Sequence, residues 1–293
     1  MKSALWMLGA ICSFCLMAVG ARELSGTLDT FEVLTLRGLV GLIIVMAIIY
    51  WRRQPELFVT QRTHTHLARN LFHFYGQASW FFAIGMIPLA QVFAIEFTVP
   101  LWVMLIAALF LSERITWRKS AAVGLGMLGV LVVVRPDTDG LSAGMLVMLF
   151  GAIGFALAII YNKRLVSTEH PLTIVFYMTL MQLPISALLT GGDWTMPTTH
   201  GWIWVVIVGV LGISAHYCAS KAMQTAEVSK LMAMDFLRLP LVALLGMVLY
   251  GELFDWWVVL GGGLTIIGNM IGQDVWRKRR ERIDGVGGPA PRP

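Results

Sequence analysis

Long runs of apolar residues recur along the whole chain, and short polar segments separate them. Each run has about 18 to 22 residues, which is the length of helix that crosses a hydrocarbon core of roughly 30 Å. The pattern predicts ten transmembrane helices and leaves no stretch long enough for a soluble domain. The first run is predicted to be a retained helix and not a secretory signal, because nine further apolar runs follow it. The predicted limits are 3–20, 30–50, 70–87, 89–111, 119–134, 141–161, 172–189, 202–223, 229–250 and 256–273.

The chain also repeats part of its sequence at a single offset of 139 positions. This offset indicates an internal duplication, with copies at 1–138 and 139–276 and a basic, disordered cytoplasmic tail at 277–293. Since each copy has five helices, an odd number, the two copies are predicted to enter the membrane from opposite sides. Such inverted repeats enclose a central cavity near the midplane, which opens alternately to each face. The matched pairs include Glu96 and Asp235, Phe97 and Phe236, Glu113 and Glu252, and Trp117 and Trp256.

Composition and charge support a membrane protein of defined orientation. The chain is 57% hydrophobic and 13% charged, whereas soluble domains have roughly 25% charged residues. With a cytoplasmic amino terminus, 18 of the 22 Lys and Arg residues lie on the cytoplasmic side, as the positive-inside rule requires. We therefore predict a multi-pass bacterial inner-membrane protein with both termini cytoplasmic. The same rule explains the net charge of +5, and no basic stripe with interleaved aromatics suggests nucleic-acid binding.

Four ionisable residues fall well inside the predicted spans: Arg37, Glu96, Asp235 and Arg238. Each would cost roughly 2.5–3.5 kcal/mol or more near the bilayer centre if it stayed unpaired. Arg37 and Glu96 lie at similar depth and could form an ion pair, and Asp235 can reach Arg238 at i and i+3. These pairs either lock the two halves together or break during a transport cycle. The sequence leaves both possibilities open, and it leaves open whether a proton moves with the solute.

A second matched pair joins Gln77 in the third span to His216 in the eighth. Gln77 shares a helical face with His73 and Trp80, although a lone histidine in a helix bundle is more often structural than a proton carrier. A largely apolar, aromatic pocket with few polar anchors suits a neutral or zwitterionic solute better than a sugar phosphate. The predicted solute-binding residues are Gln77, Trp80, Glu96, Trp102, Phe155, Tyr161, His216, Tyr217, Asp235 and Arg238.

The sequence lacks the motifs that are typical of other classes of protein. No G-x-S-x-G, H-E-x-x-H or similar motif supplies catalytic residues, so an enzyme is not predicted. The three cysteines, Cys12, Cys15 and Cys218, lie in apolar helices, and no companion ligand completes a metal site beside Cys12 and Cys15. We expect no metal and no cofactor. A channel would need a filter or a charged ring, and no such motif is visible.

Several motifs together resemble the drug/metabolite transporter superfamily, and within it the EamA branch. These are the two five-helix copies, Arg37 after the segment 31–36, and the series of Pro100, Glu113, Gly124 and Gly129 with its counterpart in the second half. The resemblance covers about residues 1–273 and implies a small-molecule transporter whose cavity is lined by the first, third, fourth, sixth, eighth and ninth spans. One departure is Pro240, which is shifted one residue from the position that matches Pro100.

Within that branch the aromatic-rich interior is similar to exporters of aromatic and other neutral amino acids. Export of such solutes by alternating access is therefore the first expectation. The alternatives are an exporter of drugs or other metabolites, such as cationic compounds or nucleobases, and a channel-like facilitator. The expected partners are a small-molecule substrate and the lipid bilayer, and a single copy of the chain is expected to be functional.

Overall fold

The computed structural model describes residues 2–110, 117–135, 142–192, 194–225, 231 and 234–286, and over these residues the chain forms helices and no strands. A short 3-10 helix, Pro55–Phe58, lies between the second and third helices. The α-helices are α1 Lys2–Leu24, α2 Thr30–Trp51, α3 Thr63–Met86, α4 Leu89–Glu96, α5 Val99–Phe110, α6 Trp117–Val134, α7 Ala143–Leu165, α8 Pro171–Thr190, α9 Thr199–Thr225, α10 Arg238–Tyr250 and α11 Trp256–Val286.

Within the described ranges, six stretches are long and apolar enough to cross a membrane by length and composition. Three shorter apolar helices, Ser120–Val133, Arg238–Tyr250 and Trp256–Ile271, lie in other predicted spans. Helix α3 is in neither group, because it carries polar residues on the face that turns inward. The count of ten membrane-spanning helices therefore stays a prediction. The six stretches are Ser3–Leu24, Thr30–Trp51, Leu89–Ile106, Ala143–Leu165, Pro171–Thr190 and Thr199–Gln224.

The helix boundaries reproduce the offset of the sequence repeat. Helix α5 begins at Val99 and α10 at Arg238, while α6 begins at Trp117 and α11 at Trp256. By the same offset, α1 corresponds to α7 and α3 to α9. Helix α3 packs extensively against α7, and α1 against α9, which are the same pairing with the halves exchanged. Helix α2 likewise packs against its counterpart α8, and α6 against α11.

Helices α6 and α11 approach so closely that side chains are excluded at their crossing. A Cβ atom on Gly129 would lie 2.4 Å from the Gly261 carbonyl oxygen, and one on Gly261 would lie 2.4 Å from the Gly129 carbonyl oxygen. Thr265 of α11 also donates its hydroxyl to the Gly126 carbonyl of α6 at 3.4 Å. This crossing is therefore a tight joint between the two halves, and glycine lets the backbones meet there.

Two of the predicted spans are broken, and each break follows an acidic residue. The predicted span 89–111 divides into α4 and α5 at Phe97 and Thr98, directly after Glu96. In the second half, a turn at Phe236 and Leu237 separates Asp235 from α10. Both turns have i to i+3 hydrogen bonds, from the Thr98 amide to the Ile95 carbonyl and from the Leu237 amide to the Met234 carbonyl, each at 3.0 Å. Pro100 and Pro240 follow these breaks within four residues, and neither can donate a backbone hydrogen bond there.

Two predictions concern segments near the limits of the described chain. Helix α11 continues to Val286. Residues 277–286 of the predicted tail are therefore helical, and residues 287–293 lie outside the described residues. Glu113, the predicted counterpart of Glu252, also lies outside the described residues.

Candidate functional site

A cavity of about 200 Å³ lies between the two halves. Its walls come from α1, α3, α4, α5, α7 and α9 and from the segment that leads into α10, which are the elements implied by the family resemblance. Most of its surface is apolar, and the lining includes Phe, Trp and Met side chains. The polar side chains that line it are Arg69, His73, Gln77, Glu96, Asn162, His216, Ser220, Asp235 and Arg238.

A charged network at the two helix breaks joins the halves. The Arg238 guanidinium donates from Nη1 to Glu96 Oε1 at 3.0 Å and from Nη2 to Asp235 Oδ2 at 2.5 Å. Trp80 Nε1 donates to the second Glu96 oxygen at 2.8 Å. The predicted pair of Asp235 with Arg238 is therefore present, and Asp235 Oδ1 is buried without a hydrogen-bond partner among the described residues. Three aromatic rings cover the guanidinium at 5.0 to 5.5 Å: Phe14, Phe93 and Phe97.

Arg37 and Glu96 do not form the ion pair that their similar depth allows, because Glu96 accepts from Arg238 and Trp80 instead. Helix α2, which carries Arg37, packs mainly against α8 and α9. Arg37 instead contacts Met17 Sδ at 3.9 Å and lies 5.2 Å from the Phe81 ring centre. It lines a second, much smaller cavity together with Gln77 and Gln182.

Two histidines face one another across the boundary between the halves. The rings of His73 and His216 are 4.8 Å apart and roughly perpendicular. His73 Nδ1 is hydrogen bonded to Gln182 Nε2 at 3.1 Å. Gln77 lies one turn along α3, and its Oε1 is buried without a partner. The predicted helical face of His73, Gln77 and Trp80 thus lines the cavity, as does the repeat partner of Gln77, His216.

Three predicted solute-binding residues lie outside the cavity lining. Trp102 donates to Thr98 Oγ1 at 3.2 Å, Tyr161 stacks on Phe72 at 5.9 Å, and Tyr217 lies edge-on to Trp6 at 5.8 Å. These residues were chosen for their position along each span, but a helix turns about 100° per residue. Tyr217 therefore lies outside the cavity lining, although its neighbour His216 lines the cavity. Of the remaining predicted residues, the cavity lining includes Gln77, Trp80, Glu96, Phe155, His216, Asp235 and Arg238.

The sequence did not identify Arg69 and Asn162 as cavity residues. Arg69 is one of the 18 bases predicted on the cytoplasmic side, and its side chain is 4% exposed and lines the cavity. The signal was present, since Arg69 stands one turn before His73 on the same face of α3. One turn further back, His66 is fully buried, with its ring 4.6 Å from that of Tyr177.

A second polar cluster lies at the other end of α3 from Arg69. Leu89 donates its amide to both oxygens of Glu252, at 3.0 and 3.1 Å. Arg22 Nη2 donates to Glu252 Oε1 at 3.1 Å and to the Ile87 carbonyl at 2.6 Å. This Glu252 cluster ties the end of α1 and the α3–α4 turn to the α10–α11 turn. It therefore joins the first half to the second at one end of the molecule.

Comparisons with known proteins agree with this architecture. The profile of the EamA-like transporter family matches residues 1–135 and 142–271. The S-adenosylmethionine uptake transporter of Rickettsia bellii is 25% identical over 85% of this chain and 86% of that protein. The riboflavin transporter of Vibrio cholerae is 25% identical over 91% of each chain. The pseudopaline exporter of Pseudomonas aeruginosa is 24% identical over 89% of this chain and 93% of that protein.

A protein crystal structure shares the fold. It superposes with a TM-score of 0.66 at 20% identity, over 94% of this chain and 98% of that one. At this identity the likeness supports the fold alone.

Proposed function

The chain belongs to the EamA-like transporter family, and from that premise we propose that it carries a small, ring-containing metabolite through the central cavity by alternating access. Family membership confirms the resemblance inferred from the sequence and makes the chain a membrane transporter of small metabolites. The observation that carries the proposal is the Arg238–Glu96 contact in the cavity wall. Because this contact joins residues of opposite halves, any movement of one half against the other must change it.

We further propose ten membrane-spanning helices in two inverted repeats, with both termini in the cytoplasm of a bacterial cell. The offset of the helix boundaries and the exchanged packing of α1, α3, α7 and α9 support this arrangement. In such repeats the solute site lies at the midplane, where broken helices meet. The breaks after Glu96 and Asp235 meet this description, since both acids line the cavity.

The size and walls of the cavity favour a small aromatic solute. Its volume of about 200 Å³ is below the roughly 300–1,000 Å³ of sites for drug-sized ligands. The rings of Phe14, Trp80 and Phe155 offer stacking surfaces. An aromatic or other neutral amino acid therefore suits the site better than a molecule with three fused rings. The named substrates of the relatives differ from one another, and these relatives include both uptake and export proteins.

We propose export as the direction of transport, with the Glu252 cluster closing the outer end of the pathway. Under the proposed orientation Arg69, Asn162 and Met223 line the cavity toward the cytoplasmic ends of their helices. An exporter would load its solute from that side.

The test is counterflow in proteoliposomes. Vesicles loaded with L-tryptophan, L-phenylalanine, adenine, S-adenosylmethionine, riboflavin or a cationic dye are assayed for uptake of the same labelled solute, with and without a pH gradient. We expect saturable, trans-stimulated exchange of at least one ring-containing solute. Flux that rises linearly with concentration and ignores the trans solute would indicate a channel-like facilitator instead.

A further inference from the structure

Arg69 is a buried cation without a carboxylate partner in the described part of the chain. Its side chain is 4% exposed and lines the cavity. Nη1 donates to the side-chain oxygen of Asn70 at 2.7 Å, and Nε is buried without a partner. Burying an unpaired charge is costly, so an arginine in this position needs an anion for at least part of the transport cycle.

The Arg69 guanidinium is held in place by Asn70, which is itself anchored to α8. Asn70 is fully buried and donates its amide to the Tyr177 carbonyl at 3.1 Å. Gln182 donates to the Asn70 carbonyl at 3.3 Å and is hydrogen bonded to His73 Nδ1 at 3.1 Å. These contacts come from α8 and fix the base of the Arg69 side chain. A positioned guanidinium matches the two oxygens of a carboxylate, since its donors form a planar fork.

The other pole of the cavity has the opposite charge. Arg238 is flanked by Glu96 and Asp235, so this network of one base and two acids has a formal charge of −1. Within the part of the chain that the structure describes, Asp235 Oδ1 is buried without a hydrogen-bond partner and is available as an acceptor. The Phe14 ring lies between the poles, 5.5 Å from the His216 ring and 5.0 Å from the Arg238 guanidinium. The cavity is thus polarised along an apolar wall.

We propose that Arg69, with His73 and His216 beside it, forms a subsite that binds a carboxylate group of the transported solute. The solute class that fits both poles has a carboxylate at one end, an apolar ring beside Phe14, and a cationic or N–H donor group that reaches Asp235 Oδ1. This inference rests on the proposed function, because it names the chemistry of the solute carried in the same cavity.

The test uses pairs of probes that differ only in the carboxylate. L-tryptophan is compared with tryptamine, and S-adenosylmethionine with its decarboxylated form, as competitors and as exchanged solutes in proteoliposomes of the full chain. In the wild type we expect the carboxylate member of at least one pair to exchange about tenfold better, which corresponds to about 1.4 kcal/mol. Arg69→Gln should remove that preference and leave exchange of the decarboxylated member within about twofold, because only a carboxylate needs the guanidinium.

Matched variants separate binding from folding. Arg62→Gln replaces an exposed base just before α3 and should leave every rate unchanged, whereas Arg69→Lys keeps the charge and should retain part of the preference. An equal loss of both members of a pair in Arg69→Gln would assign Arg69 a structural role and overturn the subsite. If Arg69→Gln does not fold, the exchange rates of the wild type still test the subsite. Equal exchange of the two members within both pairs would overturn it. Failure of every ring-containing probe to exchange would reject the proposed function as well.

Discussion

Arg238, the first residue of α10, donates a 3.0 Å hydrogen bond to Glu96, the last residue of α4. The two residues belong to different halves of the chain, and each lies next to a break in a predicted membrane span. Since Arg238 also binds Asp235, one guanidinium holds the two acids that the sequence repeat matches. The halves therefore meet at a charged network in the cavity wall.

Glu96→Gln should lower solute exchange at least tenfold while the protein still inserts in the membrane. The glutamine side chain can keep the hydrogen bond from Trp80 but loses the charge that attracts Arg238, and charge-assisted hydrogen bonds are about twice as strong as neutral ones. Initial rates of counterflow and the amount of protein in the membrane are the measurements. Glu56→Gln, at an exposed position in the loop before α3, is the control. Unchanged exchange at all pH values would remove Glu96 from the mechanism.

Glu252→Gln should open the end of the cavity that the Glu252 cluster closes. The carboxylate accepts from the Leu89 amide and from Arg22, and a neutral amide weakens both contacts and can accept through only one atom. With Ala219→Cys as the sole cysteine, labelling by a membrane-impermeant thiol reagent from the outside should become several-fold faster. Glu169→Gln, whose carboxylate accepts from Thr60 between other elements, should not change the labelling rate. Equal rates in Glu252→Gln and the wild type would show that this cluster does not limit access.

Variants of Trp80 and Trp102 test which of the two tryptophans contacts the solute. Trp80 lines the cavity and donates to Glu96, whereas Trp102 lies off the cavity and donates to Thr98. Trp80→Phe should raise the half-saturating solute concentration several-fold, because the larger indole surface and its N–H are lost. Trp102→Phe should leave that concentration within about twofold of wild type. The reverse order of effects would place the solute on the Trp102 side of α5.

The sequence indicated the offset that the helix boundaries reproduce and most of the residues that line the cavity, because a fixed offset and hydrophobic length are local properties of the chain. It allowed a pair of Glu96 with Arg37 because these residues lie at similar depth in the fourth and second predicted spans. The breaks at Phe97 and Phe236 change the partner to Arg238. Such breaks depend on the competition between i to i+3 and i to i+4 hydrogen bonds, which composition does not reveal.

Rotation about a helix axis explains the other errors. Helix packing turns Tyr217 toward Trp6 and Tyr161 toward Phe72, and not toward the cavity. For Arg69 the rotation acts the other way, since its side chain faces the cavity although its position along the chain indicates a basic residue near the cytoplasmic surface. The positive-inside rule describes where a basic residue lies along the membrane normal and not whether its side chain faces water or a cavity.

The most direct test of the account is the accessibility of one cavity position from both sides of the membrane. Ala219→Cys, in a chain whose three native cysteines are replaced by serine, is labelled with a small impermeant thiol reagent in right-side-out and in inside-out vesicles. Alternating access predicts labelling in both orientations, and a transported solute should slow both reactions. Labelling from one side only, under all solute conditions, would contradict a carrier that exposes this cavity alternately to the two faces.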